Sequence, residues 1–147
     1  MRILAMLAVG MAAVLVGGCT SAGLGRSLGG VSYVVDKLSD RQASSRVWTA
    51  TDLPELADLV ALLGDDEFER RLAEVDPARE VVVSLYFDAC STQDPELILD
   101  GQLLTVRYRT NLNRNCVRAV DTLTLFAVPR SDLPDRVVYF DQEFTLS

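Results

Sequence analysis

Three thiols and no imidazole set the limits on what chemistry this chain can do. The sequence of 147 residues carries cysteines at positions 19, 90 and 116 and no histidine. Without histidine there is no His-ligated metal site, no Ser-His-Asp triad and no Cys-His dyad. Lys37 is the single lysine, and its neighbours Ser32 and Ser39 do not make a Ser-x-x-Lys nucleophile, so it reads as a surface charge. The acidic run Asp65, Asp66, Glu67 and Glu69 is a local candidate for a cation. It lacks the alternating aspartates and distal glutamate of an EF-hand, and reads instead as a solvated helix start whose carboxylates suit the positive end of the macrodipole. A pair of carboxylates for glycosidic hydrolysis would meet only in space, and no spacing selects one. No catalytic residue, metal or cofactor is therefore expected.

Cys90 and Cys116 form an even pair once Cys19 is set aside. In an exported chain such a pair reads as a disulfide. Closing a loop of about 27 residues stabilises a fold by roughly 3.5 kcal/mol in the chain-entropy model. The competing reading, two reactive thiols, lacks both an activating histidine and a Cys-x-x-Cys spacing. The bridge would pin two polar loops, 88–95 and 110–115, at one edge. Ser91, Gln93, Asn111, Asn113 and Arg114 on those loops are candidate partner-binding residues. A plain turn region is the equal alternative.

These loops need strands to hold them. Val31 to Val35 and Arg46 to Thr49 read as short strands, with Trp48 either a stacking platform for a ligand or, as we favour, a buried anchor. A helix starts at Asp52, with Glu55 three residues on and Pro54 in its first turn. Leu53, Leu56, Leu59, Val60 and Leu63 recur on one face, and Gly64 ends it. A second helix spans about 66–74 and is closed by Pro77. The remainder is sheet: an alternating strand from Val81 to Asp88, then a hairpin at Asp100-Gly101 that sets Leu97 opposite Leu104. Further strands cover Val117 to Val128, Val137 to Phe140 and Phe144 to Leu146. Because the hairpin returns the chain to the end it left, Cys90 and Cys116 come to one edge, within the roughly 4.4–6.8 Å Cα separation a bridge requires.

The first 30 residues differ in kind. Arg2 precedes an uncharged apolar run from Ile3 to Val16, too short for a comfortable membrane-spanning helix of about 20 residues. It ends in Leu15-Val16-Gly17-Gly18-Cys19, which resembles a bacterial lipoprotein signal with its lipobox. The resemblance implies cleavage before Cys19, acylation of Cys19 and attachment to a lipid bilayer, since two or more chains anchor stably where one does not. An ordinary secretory signal without lipid is the alternative. Thr20 to Gly30 is Gly- and Ser-rich and reads as a flexible tether. The expected organisation is a signal peptide over 1–18, a lipidated cysteine and tether over 19–30, and one globular domain over 31–147. Thr20 stands where an aspartate would signal inner-membrane retention, so an outer-membrane location is open in a Gram-negative cell. The net charge of −7 disfavours nucleic acid and anionic headgroups as partners.

From Arg46 to Asp141 the chain also resembles a small exported domain family, the PrcB C-terminal family, whose namesake is a lipoprotein that stabilises a surface protease complex. The resemblance rests on the order of the Trp48 strand, the helix to Leu63, Val75-Asp76 before the apolar strand, the Asp100-Gly101 turn, and Val128-Pro129-Arg130. The family's Pro-Thr-Gly-Gly-Tyr loop is replaced by Ala89-Cys90-Ser91-Thr92. The resemblance implies a non-catalytic, β-rich domain that binds or stabilises an exported or surface protein.

The expected fold is α+β, mainly antiparallel and sandwich-like, with two short N-terminal helices and one disulfide. The expected role is that of an extracytoplasmic, lipid-anchored protein-binding or stabilising module. A structural envelope component is the alternative, and a carboxylate-based hydrolase ranks last. Globomycin, which blocks lipoprotein signal cleavage, is expected to make the precursor accumulate, as read by gel mobility and intact mass; unchanged processing overturns acylation at Cys19.

Overall fold

The computed structural model describes residues 25–28, 33–36, 45–88, 92–110 and 121–146. Their elements run β1 (Arg26–Ser27), β2 (Tyr33–Asp36), β3 (Arg46–Trp48), α1 (Leu53–Leu63), α2 (Asp66–Ala73), β4 (Glu80–Asp88), β5 (Thr92–Asp100), β6 (Leu103–Thr110), β7 (Asp121–Pro129), β8 (Arg136–Tyr139) and β9 (Gln142–Thr145). The described residues form two sheets, one ordered β2-β7-β4-β3 and the other β1-β5-β6-β8-β9. All pairs are antiparallel except β6 with β8. The protein is thus mostly β, with two helices and one mixed sheet.

The β4–β7 pair is the spine. Its ladder runs from Glu80 opposite Pro129 to Asp88 opposite Asp121. Period-two alternation sends Val81, Val83, Leu85, Phe126 and Val128 to one face and Val82, Leu123 and Leu125 to the other. Both faces are apolar, so both must be covered. Leu56, Val60 and Phe68 of the helices pack with Trp48 on the second face. On the first, the same buried cluster includes Leu97, Leu99, Leu104, Val137 and Tyr139 of the other sheet. Among the described residues no helix is long and apolar enough to cross a membrane.

The helices end as their residues dictate, with one exception. Gly64 caps α1 in the left-handed region at φ 64°, where a side chain is strained. Asp65 caps α2, its carboxylate accepting from the Phe68 amide at 3.0 Å. The capping box expected at Asp52 and Glu55 does not close. Asp52 turns back instead, accepting from the amide and hydroxyl of Thr49 at 3.1 and 2.7 Å. The Thr49 hydroxyl is therefore the chief cause of the lowered pKa of Asp52, ahead of the Arg46 charge.

Two further details depart from sequence expectation. In the hairpin the turn residues are Gly101 and Gln102, not Asp100 and Gly101, so Leu97 faces Val106 and Leu99 faces Leu104. Gly101 takes the positive φ of 62° that the first central turn position needs. Moving the turn by one residue shifts the partner by two, which leaves the same side chains on the same face; apolar pattern alone does not separate the registers. Second, β5 begins at Thr92, inside the stretch read as a loop, and carries an extra residue between Gln93 and Glu96. Pro95, lacking an N–H, is tolerated at such a bulge.

Gly25 to Leu28, within the stretch that composition marks as tether, lies along β5. The Leu28 amide donates to the Leu97 carbonyl at 2.9 Å. A Cβ on Gly25 would stand 2.6 Å from the Leu99 carbonyl oxygen, so glycine there allows close approach of two backbones.

Trp48 is buried and held at its polar end: its indole N–H donates to the Ser84 hydroxyl at 2.8 Å. The Arg46 amide donates to the same oxygen at 3.1 Å, and the Arg46 guanidinium lies 4.2 Å above the Trp48 ring. The side chain is an anchor between β3, β4 and the helices. Ser84→Ala strands a buried indole N–H and is expected to cost about 1–3 kcal/mol. Urea unfolding followed by Trp48 fluorescence checks it, with the midpoint lowered and the slope unchanged.

Candidate functional site

The β6–β8 ladder stops early. Leu103 faces Val138 and Leu104 faces Tyr139, after which the chain turns away at Phe140 and Asp141 into β9. The Val138 amide donates to the Gln102 carbonyl at 2.8 Å, so even-numbered residues here direct their backbone groups toward β8. Val106 and Tyr108 continue that parity beyond the end of the ladder, and among the described residues their outward N–H and C=O groups have no strand partner. On the opposite edge of β6, pairing with β5 continues to Thr110.

A cleft of about 330 Å³ occupies the space beside this open edge, lined by Leu103, Leu104, Thr105, Val106, Tyr108, Tyr139, Phe140 and Asp141. Leu103 is 46% exposed and Phe140 55% exposed, although both are large apolar side chains. Phe140 and Asp141 both hold positive φ, 47° and 60°. Two central residues with positive φ define a type I′ hairpin turn, which strongly prefers Asn-Gly. A phenylalanine in that position is strained, and strain of this kind concentrates at functional sites.

The ring of Phe140 meets that of Tyr139 edge-on, with centroids 4.7 Å apart. Tyr139 is itself fixed: it is 1% exposed, and its hydroxyl donates to the Ser84 carbonyl of the other sheet at 3.1 Å. Burial pushes its phenol pKa well up, so it stays a neutral donor. Tyr108, half-buried, lies 5.6 Å from the Phe87 ring, and its phenol is also raised by burial. On the outward face of β6 stand Arg107 and Arg109. Arg107 binds Glu96 at 2.5 Å, and the Ser27 hydroxyl followed by Arg107 holds the Glu96 carboxyl below its usual range. Arg109 reaches Asp94 only at 3.8 Å, both side chains being well exposed.

A second cleft, about 320 Å³, lies under α2 between Phe68, Leu72, Val75 and the sheet residues Val82, Leu125 and Ala127. Its rim charges are already engaged. Arg71 binds Glu67 at 3.0 Å and Glu74 at 3.7 Å, and Glu80 accepts from the Asp76 amide at 2.9 Å. Among the described residues no group of three His, Cys, Asp or Glu side chains gathers to hold a metal ion.

Of the residues singled out from the sequence, Cys19, Cys90, Cys116, Ser91, Asn111, Asn113, Arg114 and Lys37 lie outside the described residues. Gln93 is in β5, with its backbone opposite Arg109. The flanks of the two polar loops do meet at one end of the fold, since Asp88 pairs with Asp121 and Thr92 with Thr110. The acidic run is used locally, Asp65 as a cap and Glu67 against Arg70 and Arg71. The cleft at Phe140 was not legible as a strand pattern, because Val137 to Phe140 reads as one apolar run. The available signal was a Phe-Asp pair between two short apolar segments, where a hairpin turn is needed.

No family model, characterised protein or solved structure gives a significant match to this chain. The double change Phe140→Asn with Asp141→Gly restores preferred turn chemistry and is expected to raise stability by about 1 kcal/mol, as the strain of a left-handed non-glycine residue is relieved. An increased urea midpoint at constant slope checks this.

Proposed function

We propose that this chain is a membrane-anchored, extracytoplasmic lipoprotein whose domain binds or stabilises another protein without chemistry of its own. The observation that supports it best is the cleft at Leu103 and Phe140. Exposed apolar side chains and open backbone groups on a fixed support are the means of protein capture, not of bond cleavage. The strain retained at Phe140 fits a residue kept for contact at some cost to stability.

The remaining parts of the reading fit around this surface. Acylated Cys19 ties the domain to the bilayer, and β1 begins only a few residues later, so the folded body sits close to the membrane. The core shared by the two sheets supports a sandwich-like arrangement. A Cys90–Cys116 disulfide would clamp it at the end where Asp88 meets Asp121. The stabilising role implied by the likeness to the PrcB C-terminal family is the same class of activity.

The acylated chain, recovered from envelope membranes after mild crosslinking, is expected to bring down one partner in fixed proportion. Leu103→Asp with Phe140→Asp is expected to lower recovery at least about tenfold, because each buried apolar side chain contributes roughly 1.5–3 kcal/mol. Recovery indifferent to these changes, with no discrete partner, favours a spacing or assembly role in the envelope.

A further inference from the structure

We propose that the open edge of β6 receives an extended segment of the partner protein as an added strand, and that the segment alternates apolar with acidic residues. The inference rests on the protein-binding reading above and specifies the chemistry of what is bound.

The backbone carries the first half of the argument. Residues 105–110 of β6 continue past the last β8 pair, a length of about 20 Å at roughly 3.4 Å per residue. Val106 and Tyr108 each present one donor and one acceptor on that side, unpaired among the described residues. A short extended chain satisfies all four groups, and few other ligands do so at this spacing. The Phe140 turn makes the place for it: β8 runs parallel to β6, and the left-handed backbone at 140 and 141 reverses the chain into β9 on the far side of β8, so β8 does not continue along the edge.

The side chains carry the second half. Alternate residues of an added strand lie beside the inward-facing Val106 and Tyr108, in the cleft closed by Phe140, and these are apolar. The intervening residues lie on the outward face beside Arg107 and Arg109. On the β5 side these arginines already meet Glu96 and Asp94. Acidic residues on the guest complete the charge ladder from the other side, and Arg109, weakly held at 3.8 Å, is the more available of the two. Asp141 also lines the cleft, and the guest residues that enter the cleft are the apolar ones. A second copy of this chain would set Arg107 and Arg109 against the same arginines of its own β6, which the like charges oppose.

The test uses the full acylated chain in detergent and two blocked octapeptides of identical composition. In one, valine and glutamate alternate; in the other, four valines precede four glutamates. Backbone amide exchange at Val106 and Tyr108 is expected to be fast in the peptide-free monomer and to slow at least tenfold with the alternating peptide alone. Arg109→Glu is expected to weaken that peptide's binding about tenfold. Slow exchange without peptide at monomer mass means the chain covers its own edge, and at dimer mass that a second copy does; either overturns the proposal. An equal response to both peptides overturns it as well. If the envelope partner is captured through Leu103 and Phe140 while the alternating peptide leaves both amides unchanged, the binding role stands and strand addition falls. If the peptide protects the edge but no partner is captured, strand addition stands and the cellular role falls.

Discussion

The pairing of β4 with β7 is the constraint from which the rest of the structure follows. Two nine-residue strands, apolar on both faces, cannot rest in water on either side. Helix residues share the buried cluster on one face, and residues of the second sheet share the cluster on the other. The helical layer is modest, and its grip comes mainly from Leu56, Val60 and Phe68, all fully buried. Trp48 locks that layer to the sheet, because its indole must find an acceptor and Ser84 supplies one.

Residues of the second sheet share a buried cluster with the first, and the Tyr139 hydroxyl adds a polar tie by donating to the Ser84 carbonyl. Ser84 therefore sits between both cores: its hydroxyl serves the helix side and its carbonyl the sheet side. This matters for the candidate site, since Tyr139 is also the floor on which Phe140 stands. A strained, exposed phenylalanine keeps its place because the residue before it is fixed from the opposite sheet. Support from a rigid core is what allows an edge to remain open without collapsing.

An unpaired strand edge is ordinarily a liability, and proteins shield it with charge, brevity or a bulge. Here the outward face of β6 carries two exposed arginines, Arg107 and Arg109. These charges discourage indiscriminate pairing at an edge where, among the described residues, the Val106 and Tyr108 backbone groups have no strand partner. The same residues that limit self-association thus bias the edge toward a guest of opposite charge.

Most of the elements were legible in the sequence because local physics decides them. The helix face at Leu56 and Val60, the left-handed stop at Gly64, the Asp65 cap and the alternation from Val81 to Phe87 follow from periodicity and backbone preference. Cysteine content and the lack of histidine likewise belong to the sequence alone. Tertiary structure decided the hairpin register, since two registers present the same faces. It decided that Gly25 is a point of close approach, since a glycine needed for contact and one free to move look alike in a chain. It also decided the candidate site. Whether β8 covers all of β6 or only its first two residues depends on where the chain turns back into β9, and that point is set by a turn that holds Phe140 in a left-handed conformation a phenylalanine does not favour.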